Sequence, residues 1–233
     1  MAPSTAPSSK KLSTVALRHR KTTEEIVFNA GLGEIAPQFF ASLNAQLSKS
    51  PDNAMAMTNF LRFLESSFNP STILRDLAKH SILLETLLSI FGTSQYFSDI
   101  LIRDPELFRW LTATTVLEHA RSKSEFVIAA SQSVEPFHSA TREVNALKRF
   151  QRREMLRIGV RDILHIADLE TTTRELSNLA DAIISLVSEL TWREMKNQYG
   201  DAPNTAWAVL GLGKLGGDEL NYSSDIDLIA VFD

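Results

Sequence analysis

The stretch Gly211-Leu212-Gly213-Lys214-Leu215-Gly216-Gly217-Asp218-Glu219-Leu220-Asn221-Tyr222-Ser223-Ser224-Asp225-Ile226-Asp227-Leu228-Ile229 decides how this chain is read. It lies between two short apolar runs, Ala206 to Leu210 and Ile226 to Phe232. Both runs are bounded by turn residues and read as strands. Gly211-x-Gly213-x-x-Gly216 after a strand meets the dinucleotide-binding pattern, but that fold needs a crossover helix before its next parallel strand. The residues from Asp218 to Ser224 are too few to supply one. A P-loop fails as well, because no Gly-Lys-Ser/Thr follows the turn.

What fits is a turn that holds a phosphate beside a metal. Alternate residues of a strand share a face, so Asp225 and Asp227 point the same way, about 7 Å apart. Two such carboxylates repel one another and resist burial unless a cation lies between them. Mg²⁺ takes hard oxygen ligands and keeps positions open for substrate phosphates. Asp225 and Asp227 are therefore the candidate metal ligands and catalytic residues. Gly216 and Gly217 let backbone N–H groups approach a phosphate where a Cβ would clash. Ser223 and Ser224 add hydroxyls and Lys214 adds a counter-charge, completing the candidate nucleotide- or phosphate-binding set. Taken singly, Ser223 and Lys214 serve equally well to cap or solvate the turn. An isolated Asp-x-Asp is more often a solvated surface pair. Here Ile226, Leu228, Ile229, Val231 and Phe232 surround it and predict a buried central strand.

Upstream of this turn the pattern is helical from Thr22 to about Gln198. Leu61, Leu64 and Phe68 recur at helical spacing, as do Leu83, Leu84, Leu87 and Leu88. Asn69-Pro70-Ser71 separates two helices, with Ser71 a plausible N-cap, and Asp104-Pro105-Glu106 opens another. Long helices are expected from Thr141 to about Ile166 and from Glu170 to about Tyr199. The fold class is mainly α. Residues 1–21 form a basic arm, 22–200 a helical domain, and 201–233 the first two strands of an α/β domain. The arm carries Lys10, Lys11, Arg18, Arg20 and Lys21 without an acid. A transit peptide would look similar, but a disordered leader is the commoner origin of such a segment.

Composition excludes several classes. A net charge of −4 gives no global reason to expect nucleic acid as a partner. The absence of cysteine rules out disulfides and thiolate metal sites, and suits a reducing compartment, with the cytoplasm as the default. No apolar run approaches the roughly 18 residues of a membrane span, so no membrane association is expected. His19, His80, His119, His138 and His165 show no metal-ligand spacing.

The Gly-Gly turn followed by Asp-Ile-Asp resembles the DNA-polymerase-β-type nucleotidyltransferases. More narrowly, Gly213-Lys214-Leu215-Gly216-Gly217-x-Glu219-Leu220-Asn221-x-Ser223-Ser224-Asp225-Ile226-Asp227-Leu228-Ile229 resembles the bacterial glutamine synthetase adenylyltransferase/adenylyl-removing enzymes. Leu147 to Ile158 with Arg161-Asp162, and Leu101 to Leu107, are similar to helical segments of the same family. The resemblance implies an enzyme with two nucleotidyltransferase domains. The N-terminal one removes AMP from a tyrosine of adenylylated glutamine synthetase by phosphorolysis, and the C-terminal one adds AMP using ATP and Mg²⁺. It implies glutamine synthetase, nucleotide and phosphate, and a nitrogen-signalling regulatory protein as partners. Glu219-Leu220-Asn221 with Ser223-Ser224 is closer to the N-terminal, adenylyl-removing copy. The family's third carboxylate lies on a later strand that this sequence does not reach, so the chain by itself is expected to be inactive. Two rivals remain: a nucleotidyltransferase of this fold acting on another protein, and a non-catalytic helical partner-binding module.

Arg149, Arg153, Arg157 and Arg161 are spaced by four and form a ridge along one helix. A solvated face paired with Glu143, Glu154 and Asp162 is the favoured reading over an anion contact.

Overall fold

Most helices begin where a side chain can accept one of the amide protons that a first turn leaves unpaired. The structure, a computed structural model, describes Glu25 and residues 36–113, 115–200 and 206–232. The basic arm, residues 201–205 and Asp233 lie outside the described residues. Those described form helices α1 (Ala36–Lys49), α2 (Asn53–Ser66), α3 (Pro70–Lys79), α4 (Ser81–Thr93), α5 (Gln95–Arg103) and α6 (Glu106–Leu111). After a connection come α7 (Lys123–Val134), α8 (Ala140–Ile163) and α9 (Leu169–Tyr199). Strand β1 (Trp207–Gly211), the one-turn helix α10 (Gly213–Gly216) and strand β2 (Leu228–Phe232) follow. The protein is mainly α, as its periodicity implies.

The caps explain the boundaries. Asp52, Ser94, Ser139 and Asp168 each accept from the amide three residues on. At the α2–α3 junction the cap is Asn69, whose Oδ1 accepts from the Thr72 amide at 3.1 Å, and not Ser71. Pro70 is the first helical residue, where its missing N–H costs nothing, and this fixes the cap one position before it. Ser122 and Glu125 form a reciprocal capping box at α7.

Close contacts divide the chain into two compact units, Met1–Glu106 and Leu107–Asp233. Near residue 200 the chain passes from the long helix α9 toward strand β1. In the first unit, α1 to α5 bury Phe60, Phe63, Leu64, Leu74, Leu84, Leu87, Phe91 and Leu101. The rings of Phe63 and Phe91 meet edge-on with centroids 5.6 Å apart. Phe68 does not join them. Helix α2 ends at Ser66, and Phe68 lies past the end, fully exposed at 102%.

In the second unit, α7, α8 and α9 enclose Phe126, Ala130, Leu147, Phe150, Ile158, Leu176, Leu179 and Leu186. The arginine ridge enters this interior, and the expectation of a solvated face fails for its last two members. Arg157 is 0% exposed and Arg161 is buried. Arg157 donates to Glu154 at 2.8 Å and to Glu175 of α9 at 2.5 Å, and Arg161 donates to Glu175 at 3.1 Å. Glu175 also accepts from the Arg121 amide at 2.8 Å, and Arg157 donates to the His119 carbonyl at 3.3 Å. Burial lowers the proton affinity of the Arg161 guanidinium, and the charge of Glu175 works against that shift. Arg153 is half-buried, lying over the rings of Trp110 and Phe150. Arg149 alone of the four is exposed. Of the acids expected to pair with the ridge only Glu154 does so. Glu143 instead binds Arg193 at 2.6 Å, and Asp162 accepts from Tyr222.

Candidate functional site

Strands β1 and β2 are antiparallel, pairing Trp207 with Phe232 through Gly211 with Leu228. The antiparallel pairing agrees with the exclusion of a dinucleotide fold, whose strands run parallel. Trp207, Val209 and Gly211 share one face, and Trp207 stacks on Trp192 of α9 with centroids 5.9 Å apart. On this side a cleft of about 360 Å³ opens between the hairpin and Lys123, Asp181, Ile184 and Ser188. The opposite face carries Leu210, Ile229 and Val231.

The burial predicted for β2 is not found. All five of its residues are exposed, Ile226 is exposed beside them, and both Asp225 and Asp227 are exposed. A central strand is buried because sheet neighbours and helices cover both its faces. Among the described residues β2 has one neighbouring strand. The pair also sits before β2, not within it, since the strand begins at Leu228. The Leu212 amide donates to the Asp227 carbonyl at 3.0 Å, which carries the ladder one bond further and fixes Asp227 opposite Leu212. That register places Asp227 on the face of Ile229 and Val231, away from α9.

The glycine turn is held from inside. Leu215 and Leu220 are buried in the core of the helical bundle, and the Leu220 amide donates to Ser177 of α9 at 3.1 Å. Gly213 has φ +57°, which an L side chain rarely adopts. A Cβ on Gly216 would stand 2.6 Å from the Gly211 carbonyl oxygen, so the tight return of the chain onto β1 depends on its absence. The amides of Gly216 and Gly217 donate to the carbonyls of Leu212 and Gly213. In this conformation these two glycines close the turn on itself, and their N–H groups are already bonded. Gly217 has no such crowding, its nearest neighbour being the Gly213 oxygen at 3.7 Å.

The loop from Asn221 to Ser224 is a small self-bonded unit. Asn221 Oδ1 accepts from the Ser224 hydroxyl at 2.7 Å and from the Ser223 amide at 3.2 Å. The Ser224 hydroxyl therefore shapes the loop. Tyr222 Oη donates to Asp162 Oδ2 at 3.0 Å and ties the loop to the last turn of α8. Partial burial and the Asp162 charge push the Tyr222 phenol well above its ordinary value. This anchor is absent from the sequence reading. A tyrosine three residues before the first acid was its only signal, and its partner lies 60 residues earlier.

The structure thus brings Lys214, Gly216, Gly217, Ser223, Ser224, Asp225 and Asp227 onto one turn and loop. Lys214 and Ser223 are exposed there. Among the described residues neither Asp225 nor Asp227 makes a side-chain hydrogen bond or ion pair, and no third acid joins them as a metal-binding cluster. Two exposed carboxylates free of protein partners suit a hard cation, as Mg²⁺ requires. Among the described residues no helix is long and apolar enough to cross a membrane.

Comparison with known proteins bears on this geometry. Residues 84–233, the stretch containing the buried network and the hairpin, match the profile of the glutamate-ammonia ligase adenylyltransferase family. The chain is 32% identical over 200 residues to a bifunctional glutamine synthetase adenylyltransferase/adenylyl-removing enzyme of Neisseria meningitidis serogroup B, covering 85% of the chain and 22% of that protein. It is 37% identical over 156 residues to the enzyme so named from Shewanella oneidensis, covering 64% of the chain and 16% of that protein. A third, from Corynebacterium glutamicum, is 27% identical over 202 residues, 85% of the chain and 19% of the relative. The chain spans about a fifth of the length of these curated relatives. Taken with the glycine turn and its paired acids, the match over residues 84–233 places the chain in the glutamate-ammonia ligase adenylyltransferase family.

Proposed function

We propose that the chain is the N-terminal part of a cytoplasmic, metal-dependent nucleotidyltransferase that removes AMP from a tyrosine of glutamine synthetase. The observation that carries this reading is the exposed, unpartnered Asp225 and Asp227 at the head of β2, beside a glycine turn clamped to the bundle. Support comes from relatives named for both adenylyl transfer and adenylyl removal. The wording Glu219-Leu220-Asn221-x-Ser223-Ser224 favours the removing half.

In this reading Asp225 and Asp227 hold Mg²⁺, which supplies charge neutralisation at the phosphates and alignment of attacking and leaving oxygens. Lys214, exposed on the turn, offsets phosphate charge, and Ser223 offers a free-standing hydroxyl. Gly213 and Gly216 let the backbone turn tightly enough for the nucleotide phosphates to come close. An oxygen of inorganic phosphate attacks the phosphorus of the tyrosyl-AMP ester. The bond from phosphorus to the tyrosine oxygen breaks, ADP forms, and the phenolate takes a proton. A third acid from outside the described residues completes the site in this reading.

Mn²⁺ titration followed by electron paramagnetic resonance tests the metal site. The chain should bind Mn²⁺, and the variant Asp225→Asn/Asp227→Asn should not. The reaction is tested with adenylylated glutamine synthetase, phosphate and Mg²⁺. A longer polypeptide that includes this sequence and a third acidic strand should release ADP, and the double variant of it should not. Equal Mn²⁺ binding by wild type and variant, or ADP release by the double variant, would refute the reading.

A further inference from the structure

We infer that the exposed side of α8 is an electrostatic docking surface for an acidic patch on the protein substrate. Helix α8 carries Arg142, Lys148, Arg149 and Arg152 on its exposed side. At 3.6 residues per turn they fall within an arc of about 120°, over roughly 15 Å of helix. Acids do not share this arc. Glu143 and Glu154 are buried, and each already has an arginine partner. Among the described residues none of the four cations takes part in an ion pair. The surface therefore concentrates positive charge in a chain whose net charge is −4.

Two of the four are held in place before any partner arrives. The Arg149 guanidinium lies over the Phe137 ring, 5.9 Å from its centroid. Arg152 Nε donates to the Lys148 carbonyl at 3.2 Å. Holding rotamer-rich side chains in advance lowers the entropy cost of binding, so the patch is readier to bind than four freely moving cations. Its extent suits a compact acidic patch. A long polyanion such as RNA would also meet the excess negative charge on the rest of the chain, which repels it. The inference rests on the proposed function, in which the substrate is a protein and needs contacts beyond the single modified tyrosine.

The test is binding of the full chain to adenylylated glutamine synthetase by biolayer interferometry at about 50 to 500 mM salt, where screening of exposed charges increases steeply. The wild type should bind and weaken progressively with salt. The variant Arg142→Glu/Lys148→Glu/Arg149→Glu/Arg152→Glu should bind at least about tenfold more weakly at low salt, mostly through slower association, and match the wild type at high salt. Its helical circular dichroism and its Mn²⁺ binding should be unchanged, because the four side chains are exposed and outside the acid-pair loop. Equal binding by both proteins, no binding by the wild type, or salt-independent binding would overturn the inference. So would tighter wild-type binding to a short RNA duplex than to glutamine synthetase. Loss of Mn²⁺ binding by Asp225→Asn/Asp227→Asn, with docking intact, separates the two proposals. Docking can fail while the metal site stands, and the reverse also holds.

Discussion

Replacing Glu175 with Ala should destabilise the second unit more than any other single carboxylate change in it. Glu175 is 2% exposed and accepts from Arg157 at 2.5 Å, from Arg161 at 3.1 Å and from the Arg121 amide at 2.8 Å. The truncation leaves both buried guanidinium groups short of a counter-charge. Breaking a buried pair from one side costs about 3–5 kcal/mol, because the remaining charge stays desolvated. Alanine is a good helix former, so the backbone of α9 adds little to that cost. Against a typical domain stability of about 5–15 kcal/mol this is a large fraction. The three tryptophans, Trp110, Trp192 and Trp207, all lie within Leu107–Asp233, so fluorescence during urea unfolding reports this unit. With a slope of about 1–3 kcal/mol per molar urea, the midpoint should fall by roughly 2 M. The exposed pair Glu170–Arg174 is the control, and Glu170→Ala should change stability by less than about 0.5 kcal/mol. Adding Arg157→Met to Glu175→Ala should cost less than the sum of the single changes, because the two side chains share one contact. An unfolding free energy for Glu175→Ala within about 1 kcal/mol of wild type, or strict additivity, would show that the network is not what braces the bundle.

Further expectations concern the turn, the caps and the loop anchor. Gly216→Ala should loosen the turn, since its Cβ would meet the Gly211 oxygen at 2.6 Å, whereas Gly217→Ala should be tolerated. Amide exchange over residues 210–217 separates them, with faster exchange expected for the first and little change for the second. Hydrogen bonds from the Thr171 amide and hydroxyl hold the Asp168 carboxyl below its ordinary range, and those from Ser122 do the same for Glu125. A depressed value means that each cap's contribution is present above the ordinary carboxylate range of about 4 and is lost as pH falls through the folded value. Carboxyl NMR titration should therefore find both groups titrating below ordinary exposed carboxyls of their kind, and a midpoint at or above the ordinary range for either would count against its cap. Tyr222 is shifted upward, so its contribution is complete below pH of about 10 and is lost as pH rises through the folded value. Ultraviolet titration should show one tyrosine ionising late, and Tyr222→Phe should remove that component.

Legibility in the sequence followed the range of each interaction. Helices α8 and α9 could be placed from periodicity because their apolar stripes repeat over many turns. Asp225 and Asp227 could be singled out because type and spacing lie within three residues. The cap at Asn69 was displaced by two positions because Asn and Ser both cap well, and Pro70 decided between them. Phe68 kept the helical spacing of Leu61 and Leu64, but the helix stops at Ser66 and the spacing outlives it. The burial of Arg157 and Arg161 was invisible for a different reason. Glu154 is near in sequence, whereas Glu175 arrives from another helix and turns a charged ridge into an interior brace. Apolar composition marked β2 correctly as a strand, yet burial depends on neighbours that composition does not name.

The anchoring of the glycine turn by Leu215 and Leu220 bears on how this protein can be taken apart. A cut after Gly200, where helix gives way to strand, looks like a clean seam, yet it would pull two leucines out of the interior lined by Phe126, Leu176, Leu179 and Leu186. The helical piece would be left with an open hydrophobic socket, and the hairpin with the plugs that fit it. Neither piece is a portable cassette. Any transplant of this turn to another scaffold has to bring the socket along.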